Sequence, residues 1–185
     1  WQDRLAAILE AHPSASIGEC GLDKWVESPS IEIQMPVFLS QLRLARALDR
    51  PMTIHCLKAW EPLFAAFKDE APPRRFLMHS FGSSIETARR LVPLGAFFSF
   101  SGYFLQPRKS GTVEVFRQLP QDRLLVETDA PDMLPPDEVI SHPLPDSQNH
   151  PANLASIGCH LAAGLHLAPE ELSRITSENF HRSFL

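Results

Sequence analysis

Five short apolar runs, each followed by residues with helical periodicity, constrain this chain more than any other feature. They are Ala15-Ser16-Ile17-Gly18-Glu19, Met52-Thr53-Ile54-His55, Phe76-Leu77-Met78-His79, Gly95-Ala96-Phe97-Phe98-Ser99-Phe100 and Arg123-Leu124-Leu125-Val126-Glu127. Apolar spacing predicts helices over 31–48, 60–68, 84–91 and 113–119, with another at 1–10 and two more at 152–165 and 169–184. Strands that alternate with helices argue for a parallel sheet, either doubly wound or closed into a (β/α)8 barrel. The five units share no sequence identity, so the repeat is one of architecture. Two local details are also expected: Gly21-Leu22-Asp23 turns the chain after the first strand, and Pro36 marks the ordered start of the second helix.

At 185 residues, 44% of them hydrophobic, the chain has room for one domain spanning 1–185, and no shift in composition marks a second. The net charge of −5 gives no general basic field for nucleic acid, which leaves only local patches. Cys20, Cys56 and Cys159 lie far apart with no CxxC, so neither a disulfide framework nor a zinc knuckle is expected. A reducing, cytoplasmic setting follows from that usage. No apolar run approaches the roughly 20 residues of a membrane span. The chain opens without methionine, in what reads as the middle of a helix, and the amino terminus is therefore expected to be cut.

Chemistry gathers where the runs end. Four of the five strands finish on a metal-capable side chain: Glu19, His55, His79, and the pair Glu127 and Asp129. Residues i and i+2 of a strand share a side, and the carboxyl ends of parallel strands converge on one mouth. Each residue alone has a plain structural explanation, such as a hydrogen-bonded rim histidine or a solvated acid. Together, imidazoles and carboxylates at successive strand ends suit zinc, manganese or another divalent ion. The other histidines (His12, His142, His150, His160, His166 and His181) follow no strand. A long Pro-, Asp- and His-rich segment at 131–151 has no hydrophobic period and reads as a loop.

The runs Ile17-Gly18-Glu19-Cys20-Gly21-Leu22-Asp23, Thr53-Ile54-His55-Cys56, Met78-His79-Ser80-Phe81-Gly82 and Glu127-Thr128-Asp129-Ala130-Pro131 resemble the TatD family of metal-dependent deoxyribonucleases. Asn153-Leu154 and the segment from Thr176 to Asn179-Phe180 look like that family's closing helices. The resemblance implies a TIM-like (β/α)8 barrel of the metal-dependent hydrolase type, with two divalent metal ions (Mg, Mn or Zn). It implies that Glu19 bridges the ions and that His55 and His79 bind one of them. Asp129 would bind the other and position the attacking water, with Glu127 in support. The implied reaction is hydrolysis of phosphodiester bonds in DNA, as an exonuclease on single strands, by a monomer. Lys58 stands where the family commonly places arginine. Lys58, Tyr103, Arg108 and Lys109 are the candidates for contact with the substrate backbone and bases; a solvated loop with an aromatic anchor is the alternative.

Two departures accompany the resemblance. No His-x-His pair occurs, and five βα units are present where a closed barrel needs eight. The expectation is that the chain holds the last five units only, with the first three strands absent. Two other functions stay open. One is a metal-dependent hydrolase of a non-DNA ester or amide, such as aminoacyl-tRNA, which the net acidity favours. The other is a truncated, non-catalytic metal-binding module.

Overall fold

The computed structural model describes residues 1–185. It contains the expected alternation, with five strands and seven α-helices. No helix is long and apolar enough to cross a membrane. The chain divides into two compact units, the first comprising Trp1–His79, Leu91–Phe97 and Ser183–Leu185, the second Ser80–Arg90 and Phe98–Arg182.

The first unit holds α1 (Gln2–Ala11), β1 (Ile17–Asp23), α2 (Ile31–Ala47), β2 (Met52–Leu57), α3 (Trp60–Asp69) and β3 (Phe76–Met78). β2 pairs in parallel with both β1 and β3. Its buried centre is built from Leu22, Ile54, Met78, Phe38, Leu42, Leu63 and Phe67, all within 9% of full burial. Phe67 joins helix to helix and helix to sheet, with ring centroids 6.4 Å from Phe38 and 5.6 Å from Phe76. Burying such side chains stabilises a fold by about 1.5–3 kcal/mol each before chain entropy is charged against it.

β1 differs from the sequence expectation. The turn expected at Gly21-Leu22-Asp23 is strand, and β1 runs on to Asp23. Gly21 pairs with His55, and a Cβ there would lie 1.9 Å from the His55 carbonyl oxygen, so the close approach requires glycine. The helix expected to start at Pro36 begins at Ile31. The Gln34 side chain secures that early turn, donating to the carbonyls of Asp23 (2.8 Å) and Pro29 (2.6 Å) and accepting from the Asp23 amide (2.7 Å). Those bonds offset the one that proline cannot make.

The second unit holds α4 (Ile85–Leu91, of which Ile85–Arg90 belong to it), most of β4 (Ala96–Ser101), α5 (Gly111–Arg117), β5 (Leu124–Glu127), α6 (Leu154–Leu165) and α7 (Pro169–Phe184) up to Arg182. β4 and β5 pair in parallel from Phe98↔Leu124 to Ser101↔Glu127. Four phenylalanines pack edge to face here, with Phe81–Phe98 at 4.8 Å and Phe100–Phe116 at 5.0 Å. Asn179 of α7 donates to the carbonyls of Gln121 and Leu124, both at 2.8 Å, and so fixes the start of β5. The segment 131–151 is the expected loop, with two single 3₁₀ turns inside it.

Candidate metal centre

Three donor atoms in the first unit converge. Glu19 Oε1 lies 2.8 Å from His79 Nε2 and 3.1 Å from His55 Nδ1, and the two imidazole nitrogens are 3.1 Å apart. The register explains this. Between Ile17↔Met52 and Cys20↔Ile54, β1 spends one residue more than β2, which is a bulge at Gly18-Glu19. Beyond it Gly21 faces His55, so Glu19 and Asp23, two residues to either side, flank the imidazole. His55 is held from both ends, Nδ1 toward Glu19 and Nε2 to Asp23 Oδ2 at 3.0 Å. His79, the residue after β3, is tied by its amide to the Ile54 carbonyl at 3.1 Å.

This donor set suits a cation. A neutral His55 that donates its Nε2 proton to Asp23 would turn the Nδ1 lone pair toward Glu19 Oε1, whereas a protonated His55 donates to both carboxylates. Lone pairs facing each other at hydrogen-bond distance are relieved by a proton or by a positive ion. The electrostatics agree. Hydrogen bonds from His55 and His79 hold the Glu19 carboxyl well below the usual carboxylate range. The hydrogen bond to Glu19 holds His55 above the usual histidine range against the opposing effect of burial, and Asp23 adds to it. Glu19, His55 and His79 could therefore hold a divalent metal.

In the second unit, Glu127 ends β5 and accepts from Ser99 Oγ at 2.5 Å, while that hydroxyl accepts from the Ser80 amide at 3.1 Å. Asp129 follows two residues later in the left-handed region (φ 58°). Lys58 (φ 54°) and Ser80 (φ 44°) also adopt it, each just past a strand. Such backbone costs an ordinary residue on the order of 1–3 kcal/mol and gathers at functional sites. The turn carrying Asp129 is pinned by buried Asn149, whose side chain donates to the Thr128 carbonyl at 2.8 Å and whose amide donates to Pro131 at 2.7 Å.

The expected substrate contacts form two groups. Arg108 Nη2 donates to the Tyr103 hydroxyl at 2.8 Å, and Lys109 Nζ lies 5.6 Å from the Tyr103 ring centroid, so these three cluster. Lys58 sits over the indole of Trp25, with Nζ 3.9 Å from the centroid. Read from sequence, Asp23, Trp25, Asn149 and Asn153 have no place in the site: Asp23 reads as part of a turn and, like Asn153, as a residue of the family-like runs. Asp23 stands four residues after Glu19 on the same strand, a signal that becomes visible only once that segment is taken as strand.

The family profile described as TatD related DNase matches residues 1–185. The chain is 35% identical over 179 residues to the uncharacterized metal-dependent hydrolase YabD of Bacillus subtilis, covering 95% of this chain and 68% of the relative. It is 34% identical over 194 residues to a protein of Cronobacter turicensis named 3'-5' ssDNA/RNA exonuclease TatD, covering 100% and 72%. The crystal structure of YJJV, a TatD homolog from Escherichia coli, superposes with a TM-score of 0.87 at 30% identity, over 99% of this chain and 69% of that one. Against a further relative the chain spans only 51% of the length. A match along every residue, together with relatives above 30% identity, places this chain in the TatD related DNase family.

Proposed function

We propose that residues 1–185 act as one catalytic domain of a metal-dependent hydrolase that cleaves phosphodiester bonds of single-stranded DNA, as an exonuclease. The convergence of Glu19, His55 and His79 on one point carries this reading. The family match and the name of the Cronobacter relative support it. In this proposal Asp129 is the further ligand and the residue that positions the attacking water, and two divalent ions (Mg, Mn or Zn) are held. Bound there, such ions supply a water of lowered pKa and charge stabilisation at the phosphoryl group.

The chain's own residues prepare that chemistry. Two imidazoles hold the Glu19 carboxyl well below the usual carboxylate range, which favours the ionised form that a cation needs. Asp23 fixes the ring of His55 and directs Nδ1 toward Glu19. Ser99 fixes the Glu127 carboxylate in one direction. Lys58, Arg108 and Lys109 offer cations to strand phosphates, and Tyr103 offers a ring to a base.

The test is cleavage of a single-stranded oligonucleotide, DNA and RNA in parallel, with Mg²⁺, Mn²⁺ or Zn²⁺. The proposal expects stepwise shortening from one end, and a loss of roughly 100-fold or more in Glu19→Gln and Asp129→Asn. Cleavage that survives both substitutions contradicts the site. A second reading, hydrolysis of a non-DNA ester or amide such as aminoacyl-tRNA, draws on the net charge of −5. Retained metal binding with turnover of such an ester and none of DNA would favour it.

A further inference from the structure

Trp25 is the most exposed large aromatic side chain in the chain, at 65%, and its backbone is tied through Asp23 to His55 of the metal-capable cluster. It occupies the loop that follows β1, and an exposed indole there gains nothing from burial. Its placement is nevertheless enforced. Asp23 Oδ1 accepts from the amides of Trp25 (2.6 Å) and Val26 (3.3 Å), while Oδ2 of the same carboxylate meets His55 Nε2 (3.0 Å). The Lys24 amide donates to the Leu57 carbonyl at 2.9 Å and clips this loop to the end of β2. One carboxylate thus orients both a candidate metal ligand and the loop that presents the indole.

Lys58 completes the arrangement. It is exposed and has left-handed backbone three residues after His55, and its Nζ lies over the Trp25 ring. A cation–π contact of this kind covers one face of the indole with a charge, and an exposed ammonium has further donors to offer a ligand. A single-stranded nucleic acid offers the complementary pair at each step, a flat base and an anionic phosphate.

We propose that Trp25 and Lys58 form a nucleotide-binding platform at the edge of the metal centre, with a base of single-stranded nucleic acid stacked on the indole and an adjacent phosphate on the Lys58 ammonium. The proposal rests on the nuclease reading and adds to it the pair that grips the strand beside the cleavage site. Neither residue is a metal ligand, so the platform acts on strand affinity, and its Trp25 half can be tested apart from the hydrolysis of a diester that carries no base.

The test compares wild type with Trp25→Ala, Trp25→Phe and Lys58→Gln. Binding of a fluorescent oligo-dT is measured with chelator present, which prevents cleavage, and turnover of bis(4-nitrophenyl) phosphate with Mn²⁺, a diester with neither base nor strand. Trp25→Ala is expected to weaken oligo-dT binding roughly 5- to 100-fold, with Trp25→Phe recovering much of it. Lys58→Gln is expected to lower the slope of log K against log salt by about 0.7, the share of one phosphate on a single strand. Turnover of the small diester stays at the wild-type value in the two Trp25 variants, because that substrate has no base to stack, and affinity for Mn²⁺ stays at the wild-type value in all three. Wild-type oligo-dT binding in Trp25→Ala overturns the platform and leaves the nuclease reading intact. Parallel loss of small-diester turnover in Trp25→Ala also overturns it, because the loop would then be supporting the centre itself. A wild-type protein that hydrolyses the small diester but neither binds nor cuts DNA contradicts the nuclease reading, and the platform falls with it.

Discussion

Asp23 shows how much one carboxylate decides at the residue scale. It receives the ring of His55 on one oxygen and two loop amides on the other. Removing it frees the imidazole to turn, and partners of this kind are worth about 10- to 100-fold in metal affinity. Asp23→Ala is therefore expected to weaken Mn²⁺ or Zn²⁺ binding by that order, measured by calorimetry, whereas Asp23→Asn, which keeps an acceptor for Nε2–H, loses less. Equal losses in the two variants would argue against an orienting role. The cysteines give an independent check. Burial pushes the thiols of Cys20 and Cys56 up to about 12, while Cys159 is exposed on α6. At pH 8 a thiol reagent should label one cysteine per folded chain quickly, Cys159, and the other two only on unfolding; fast labelling of all three would contradict that burial. His55 and His79 could be read from the sequence because each closes an apolar run. Asp23 could not, because its role depends on a cross-strand register and on a bulge at Gly18-Glu19 that no local pattern announces.

At the scale of elements, the alternation of strand and helix is legible in the sequence throughout, and the two boundaries that differ have local causes. Gly21 reads as a turn residue and so ends the expected first strand early, although the structure uses it for close approach to His55. Pro36 places the expected start of α2 too late, because the Gln34 bonds that hold its first turn are tertiary. The long loop carries the clearest prediction. Fully buried Asn153 accepts from the amides of Ser141 (3.0 Å) and His142 (2.8 Å) and donates to Asn149 Oδ1 (2.9 Å), and Asn149 in turn pins the turn of Asp129. Asn153→Ala leaves several buried partners unsatisfied and should cost roughly 2–3 kcal/mol in urea unfolding. It should also open 131–151 to limited proteolysis; an unchanged midpoint and digestion pattern would count against this anchoring.

For the whole molecule, metal and fold should be linked. A ligand present at 100 times its dissociation constant stabilises the state that binds it by about 2.7 kcal/mol. In a chain of this size that corresponds to a rise in Tm of roughly 5–10 °C. Chelator-treated protein should show this rise when Mn²⁺ or Zn²⁺ is added, and Glu19→Gln should show much less of it, as read by differential scanning fluorimetry. The central claim is that strand ends distant in sequence build one metal centre. Anomalous scattering from crystals grown with Mn²⁺ or Zn²⁺ tests it most directly. The account predicts an anomalous peak bonded at about 2.0–2.2 Å to Glu19 Oε1, His55 Nδ1 and His79 Nε2. Density elsewhere, with those three atoms still bonded only to one another at saturating metal, would contradict it.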